Sequence, residues 1–261
     1  MTTRVLYLSG CLGFIGYHVA KACLGQGWHV RGVDSGTYAA NWNLLEELAR
    51  NKNFVFEHKD INDLNTLYDC DYFINAAAET HVDNSIISSD VFLKSNVNGV
   101  HRILELIRNR SRHKMPILLH FSTDEVYGHI RDNHQSVETD ELAPRSPYAA
   151  SKAAADQLVQ AYAITYGIPV TITRGANNVG PYQYPEKAVP LFSTNAILGE
   201  PLPVYGDGLN VRDWLYVGDH CSALRAVLAR GRTGETYNIG GNSEKTNLDV
   251  VKTLCEIIDE L

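Results

Sequence analysis

None of the five cysteines (Cys11, Cys23, Cys70, Cys221 and Cys255) stands in a Cys-x-x-Cys pair, and their number is odd. That spacing argues against a disulfide framework and against a thiolate metal site. Reduced, mostly packed thiols are expected, as in a cytoplasmic protein. The ten histidines contain no His-Glu-x-x-His or other close pair, so no bound metal is expected. Long apolar runs are missing as well. Met1-Thr2-Thr3-Arg4 lead into an apolar segment of only about six residues, too short for a membrane span or a signal peptide. Positive charge is in deficit: a formal net charge of -7 provides no field to draw nucleic acid or an anionic membrane. The basic cluster from Arg108 to Lys114 reads as a solvated helix end. No internal repeat or low-complexity tract interrupts the chain.

What is present is alternation. Short β-rich runs (Val5 to Ser9, Val30 to Val33, Phe54 to Phe56, Tyr72 to Asn75, Ile117 to Ser122, Val170 to Thr173) are separated by amphipathic stretches. Helices are expected near Ile15 to Gly25, Leu44 to Asn51, Asp90 to Arg110 and Tyr148 to Tyr166. The runs are nearly all apolar, as strands buried on both faces are. The expected class is α/β, a Rossmann-type doubly wound parallel sheet with a smaller C-terminal substrate lobe. After Arg174 turn-rich segments take over, so residues 1–175 are read as a dinucleotide-binding domain and 176–261 as the lobe. Residues 217–240 are expected to return to the main sheet.

Gly10-x-x-Gly13-x-x-Gly16 follows the first strand and opens the first helix. Glycines there permit a tight turn and close backbone approach, and the helix start offers free N–H groups to a pyrophosphate. Val33-Asp34 ends the second strand, where a carboxylate accepts both adenosine ribose hydroxyls and repels a 2′-phosphate. The expected cofactor is therefore NAD rather than NADP. Asp34 also reads as a turn former with Ser35-Gly36. Asp60 and Ile61 after the third strand, and Ala76, Ala77 and Ala78 after the fourth, lie where a dinucleotide would rest. The alanines serve close helix packing nearly as well.

Tyr148 and Lys152 lie four residues apart, hence on one helix face. A tyrosine acting as base near neutral pH needs its pKa lowered by roughly three units, about 4 kcal/mol. The Lys152 ammonium and a positive nicotinamide ring can supply that. Ser122-Thr123 at the end of the preceding strand can bond the same substrate oxygen. Asp124-Glu125 adds two adjacent carboxylates, read either as an acid and base pair for elimination or as a solvated loop.

Together with Asp34, Ala77 to Asp83, Asn177-Asn178, Arg212 to Val217 and Gly234 to Gly241, these motifs resemble the extended short-chain dehydrogenase/reductase family. Within it, Ser122 to Gly128 is similar to the nucleotide-sugar 4,6-dehydratases, and the resemblance covers essentially the whole chain. It implies a nucleotide-diphospho-hexose substrate, dTDP-glucose favoured, and tightly held NAD. It implies that Tyr148 and Lys152 start C4 oxidation with Thr123 orienting the oxygen, while Asp124 and Glu125 act as elimination acid and base. Phe14, Ile15, Thr37, Ser95 and Asn178 join the cofactor set. Thr80, Thr123, Asn177, Lys187, Pro203, Tyr205, Arg212 and Asn247 form the substrate set, and a homodimer through the long helices is implied. Cys11-Leu12, Asn75, Gly175, Val179 and Gly218 depart from the pattern, and relatives continue past Leu261. A shortened substrate lobe is therefore expected, and UDP-, CDP- and GDP-linked sugars stay open. A 4-epimerase or decarboxylase, or a non-catalytic nucleotide-sugar binding module, is the alternative.

Overall fold

Apolar runs of four to seven residues cannot satisfy their backbone groups alone, and seven of them pair side by side here as one wholly parallel sheet. The computed structural model describes residues 3–130 and 134–260, so Met1, Thr2 and Leu261 of the expected spans lie outside the described residues. The first half runs β1 (Val5–Ser9), α1 (Phe14–Leu24), β2 (His29–Asp34), α2 (Trp42–Ala49), β3 (Phe54–His58) and β4 (Tyr72–Asn75). α3 (Val82–Ile87) and α4 (Asp90–Phe92) lead through a π-helical stretch, Leu93–Asn98, into α5 (Gly99–Arg108). β5 (Ile117–Thr123), α6 (Pro147–Tyr166) and β6 (Val170–Gly175) follow. The remainder is β7 (Asn177–Val179), α7 (Ala188–Leu198), β8 (Val211–Tyr216), α8 (Val217–Arg230), β9 (Thr236–Ile239), β10 (Glu244–Thr246) and α9 (Asn247–Asp259).

The strand order β3-β2-β1-β4-β5-β6-β9 reverses direction between β1 and β4. That reversal opens a crevice at the strand carboxyl ends, where doubly wound sheets bind ligands. Successive residues of β1 feed opposite faces, with Leu6 and Leu8 in one core and Tyr7 in the other. α1 and α2 cover the first core, and α5 and α6 the second. Among the described residues no helix is long and apolar enough to cross a membrane.

Several details differ from the sequence expectation. β5 and β6 each run further, to Thr123 and Gly175, because they pair with each other over that length. The helix expected over 90–110 is interrupted by the π-helical stretch, which carries Asn96 inward: its amide bonds the backbone of Glu79 and the hydroxyl of Ser151. Arg110, expected in solvent, folds its guanidinium onto Asp69 and the carbonyl oxygen of Leu67. A second sheet, β10-β8-β7, was not foreseen, since strands of three residues leave almost no periodic signal.

The glycine turn is sterically determined. Gly10 has φ +73°, and a Cβ there would lie 2.7 Å from the backbone of Ala76 and Ala77. A Cβ on Gly16 would overlap the Gly10 carbonyl oxygen, whereas one on Gly13 meets that oxygen at an ordinary 3.4 Å. Gly16→Ala is therefore expected to destabilise the chain by about 1–3 kcal/mol, seen as a lower urea midpoint, while Gly13→Ala leaves that midpoint nearly unchanged.

Candidate active site

At the start of α1, the N-cap residue Gly13 has no side chain to accept from the first-turn N–H groups, and no acidic residue lies in that turn. An anion placed there meets free donors and the positive end of the helix. Across the crevice Asp34 accepts from the backbone N–H of Leu12 and of Gly36, both at 2.9 Å. The second bond is the turn contact that its local sequence suggested. The carboxylate also faces the crevice, so turn and binding roles coexist. Burial pushes its pKa up, and the two N–H donors oppose that rise.

Gly10, Gly13, Asp34, Thr37, Asp60, Ile61, Ala76, Ala77, Ala78 and Ser95 line one cavity. Phe14, Ile15, Gly16, Tyr148, Lys152 and Asn178 line an adjoining one that shares Gly10, Gly13 and the alanines at 76 and 78. All residues expected from sequence to hold the dinucleotide thus border one continuous trench. The residues fit such a group: an open helix start for phosphate, a carboxylate at one end, and small side chains along the floor.

At the other end, β5 hands its last residue, Thr123, to a 3-10 turn over Asp124–Tyr127. Thr123 Oγ1 donates to Asp124 Oδ1 at 3.2 Å and accepts from the Glu125 backbone N–H at 3.3 Å, which ties its side chain to that of Asp124 and to the backbone of the turn. Burial raises the pKa of both acids. Asp124 adds to the rise at Glu125, while Arg212 opposes it at both and Lys187 opposes it at Glu125. Glu125 lines the cavity; Asp124 reaches it through Thr123.

Ser146 caps α6 by accepting from the Ala149 N–H at 3.1 Å, and Pro147 follows as a ready-made first helical residue. This cap sets Tyr148 in the first turn, where its N–H donates to Ser85 Oγ at 3.1 Å. Lys152, one turn on, donates its Nζ to the Phe121 carbonyl oxygen at 2.5 Å. The protein's own groups push the Tyr148 phenol up, first by burial and then through Glu125, with Thr123 acting the other way. The lowering expected from sequence is not met by Lys152 alone. Burial brings Lys152 itself down to about 8.

Of the substrate set, Thr80, Thr123, Asn177 and Lys187 border the second cavity, with Lys187 Nζ donating to the Thr80 carbonyl oxygen at 2.8 Å. Pro203, Tyr205, Arg212 and Asn247 lie off its wall. Tyr205 donates its hydroxyl to Asp83 at 2.9 Å, Arg212 is exposed, and Asn247 opens α9. Sequence reasoning missed Gln183, Tyr184, Glu186 and His220, which also face this cavity. The turn-rich Tyr184-Pro185-Glu186-Lys187 was visible as a loop, but nothing local indicated what it would cover. Gln183 Oε1 and His220 Nε2 are buried without partners among the described residues.

Comparison with known proteins agrees with this geometry. The family model described as GDP-mannose 4,6 dehydratase matches residues 8–260. The dTDP-glucose 4,6-dehydratase of Xanthomonas campestris pv. campestris (strain B100) is 46% identical over 265 residues, covering 97% of this chain and 76% of its own. That of Haemophilus influenzae is 44% identical over 98% of this chain and 80% of its own. The dTDP-glucose 4,6-dehydratase DesIV of Streptomyces venezuelae, solved with NAD bound, superposes with a TM-score of 0.93 at 42% identity, covering 98% of this chain and 81% of that one. A UDP-glucuronic acid 4-epimerase from Bacillus cereus reaches a TM-score of 0.92 at 27% identity, covering 98% of this chain and 83% of that one. Fold alone therefore separates these chemistries poorly, while the acid pair following Thr123 and the stretch of high identity point one way: the chain belongs to the nucleotide-sugar 4,6-dehydratases of the extended short-chain dehydrogenase/reductase family.

Proposed function

We propose that this protein is an NAD-dependent lyase that removes water from dTDP-glucose to give the 4-keto-6-deoxy sugar. The observation that carries this reading is the Thr123-Asp124-Glu125 turn, which sets two half-buried, adjacent carboxyls beside the Tyr148 phenol. Bound NAD⁺ would accept hydride from C4, later return it to C6, and contribute a positive ring near the phenol. Tyr148 takes the 4-hydroxyl proton, Thr123 orients that oxygen, and Lys152 supplies the positive charge that favours the phenolate. The resulting ketone acidifies C5. Glu125, ionised, removes the C5 proton and gives it back to C5 when hydride reaches C6, and Asp124, protonated, delivers one to the departing C6 hydroxyl as water. Burial and charge repulsion keep one of two neighbouring carboxyls neutral, and the family resemblance assigns the neutral one to Asp124.

Gly10, Gly13, Phe14, Ile15, Gly16, Asp34, Thr37, Asp60, Ile61, Ala76 to Ala78, Ser95 and Asn178 would hold the dinucleotide. Thr80, Asn177 and Lys187 would hold the sugar diphosphate from the cavity wall. Pro203, Tyr205, Arg212 and Asn247 would meet the nucleotide from the lobe side, with Arg212 pairing to phosphate. Residues 1–175 with 217–240 form the dinucleotide domain in this reading, and 176–261 the substrate lobe. A cytoplasmic homodimer through α5 and α6 completes it, and a stable monomer in sedimentation would reject the dimer.

A panel of nucleotide sugars read by mass spectrometry tests the reaction. Loss of one water from dTDP-glucose is expected. An unchanged mass with inverted C4 would make the protein an epimerase, and bound NAD without any transient NADH absorbance would make it a binding module. Glu125→Gln should still oxidise C4, seen as NADH absorbance, while water loss falls by about 10²–10⁴-fold; full turnover by that variant removes Glu125 from its role.

The pH dependence follows from the raised carboxyls. Glu125 works only when ionised, and its folded pKa lies above its ordinary value, so activity is lost as pH falls through that higher value. Arg212→Gln removes a charge that lowers both acids. The acid limb of kcat/KM should therefore move to higher pH and KM should rise. An unmoved limb would contradict the coupling.

A further inference from the structure

Behind the Tyr148 and Lys152 pair lies a buried polar cluster that the reaction outlined above leaves unused. Tyr148, Lys152 and Asp156 recur every four residues on α6 and so share one face. Asp156 and His120 are 0% exposed, Arg174 is 2% and Lys152 is 4%. Arg174 on β6 donates its Nε–H to Asp156 Oδ2 at 3.0 Å. The second oxygen, Oδ1, has no hydrogen-bond partner among the described residues, and His120 Nε2 on β5 stands 3.7 Å from it.

The protonation of that histidine is set by its other neighbours. Ser9 Oγ donates to Asn75 Oδ1 at 2.6 Å, which turns the amide nitrogen of Asn75 toward His120 Nδ1 at 3.2 Å. Nδ1 is therefore the acceptor, and the single ring proton sits on Nε2, facing Asp156. Burial and the Lys152 charge hold His120 well below the ordinary histidine value, so it is neutral.

The charges can then be counted. Lys152 and Arg174 are cations; Asp156, bonded to Arg174 and one helical turn beyond Lys152, is the anion, with burial pushing its pKa up and Arg174, Ser122 and Lys152 opposing that rise. The π-helical stretch and α3 contribute uncharged Asn96 and Ser85, β5 adds the Ser122 hydroxyl, and the 3-10 turn brings Asp124 and Glu125 to Tyr148 and the neutral Tyr127 hydroxyl to Arg174 at 2.8 Å. While Tyr148 is a phenol, the inner cluster carries one surplus positive charge. That surplus disappears when Tyr148 gives up its proton. Without Asp156 the surplus would be two, and a buried site relieves such an excess by shedding the Lys152 proton.

We propose that Asp156 is the positioning counter-ion that keeps Lys152 charged. This deepens the reading of Tyr148 as base and rests on it. Burial is the largest influence lowering Lys152 toward about 8, and Asp156 is the one that opposes it. Lys152 assists only while protonated. Loss of Asp156 therefore lowers its pKa further and moves the alkaline limb of activity to lower pH, by about 1–3 units for a removed neighbouring charge. Asp156 also pushes the Tyr148 phenol up directly, so its loss lowers the phenol as well as the lysine.

The test compares the wild type with Asp156→Asn and Asp156→Glu, each loaded with NAD and checked for folding by circular dichroism. The ¹³Cε resonance of Lys152, assigned by its loss in Lys152→Arg, is titrated alongside the kcat profile. A fall of about 1–3 pH units in Asp156→Asn, with Asp156→Glu staying near wild type and KM unchanged, supports the proposal. An unmoved Lys152 titration in folded Asp156→Asn overturns it. The titration needs no turnover, so a failure of the dehydratase reading would show separately, as a shifted lysine in a protein that releases no water. Should Asp156→Asn not fold, the ¹³Cγ resonance of Asp156 in the wild type decides: ionised at neutral pH supports the counter-ion, and protonated at neutral pH overturns it.

Discussion

An ammonium group buried under the first turn of α6 is the constraint around which this molecule is arranged. Lys152 is almost wholly enclosed and has one close carbonyl acceptor, that of Phe121. Such a charge is costly to hold unless other groups compensate it. Compensation comes from opposite sides: Asp156 on the same helix, with Arg174 and His120 arranged about it from β6 and β5. The register of β5 against β6 is therefore part of the chemistry, since it aligns Ser122 with Arg174 and Thr123 with Gly175.

The parallel sheet makes this possible because every strand delivers its carboxyl end to the same edge. Ser9, Asp34, Asn75, Thr123 and Gly175 all end their strands there. The dinucleotide trench and the acid pair adjoin for that reason, although the trench residues are spread from Gly10 to Asn178. Short polar links then tie the lobe to this edge: Lys187 to Thr80, Tyr38 to Glu186, and Tyr205 to Asp83. Each joins a segment after residue 176 to one before residue 100, so the cavity between them has walls from both ends of the chain.

Much of the scaffold was legible. β1 and β4 were read to the residue, and α1, α2 and α6 to within two residues, because their apolar periods and caps are local signals. The glycine turn and Asp34 were equally clear, since close backbone approach and a strand-ending carboxylate are written in residue type and spacing. The three-residue strands of the lobe and the π-helical stretch were not legible, because their hydrogen bonds depend on partners distant in sequence.

Residue chemistry alone determined the inventory: a tyrosine and a lysine on one helix face, two adjacent acids after a strand, and a nucleotide-binding turn before them. Only the tertiary structure decided how those groups are tuned. The expectation was that Lys152 together with a positive nicotinamide ring would depress Tyr148; the protein's own burial and nearby acids raise the phenol. It also enclosed His120, Asp156 and Arg174 together, residues whose local sequence reads as ordinary strand and helix. Residue identity specifies what a side chain can donate or accept, but its charge state depends on how much solvent the whole fold removes from around it.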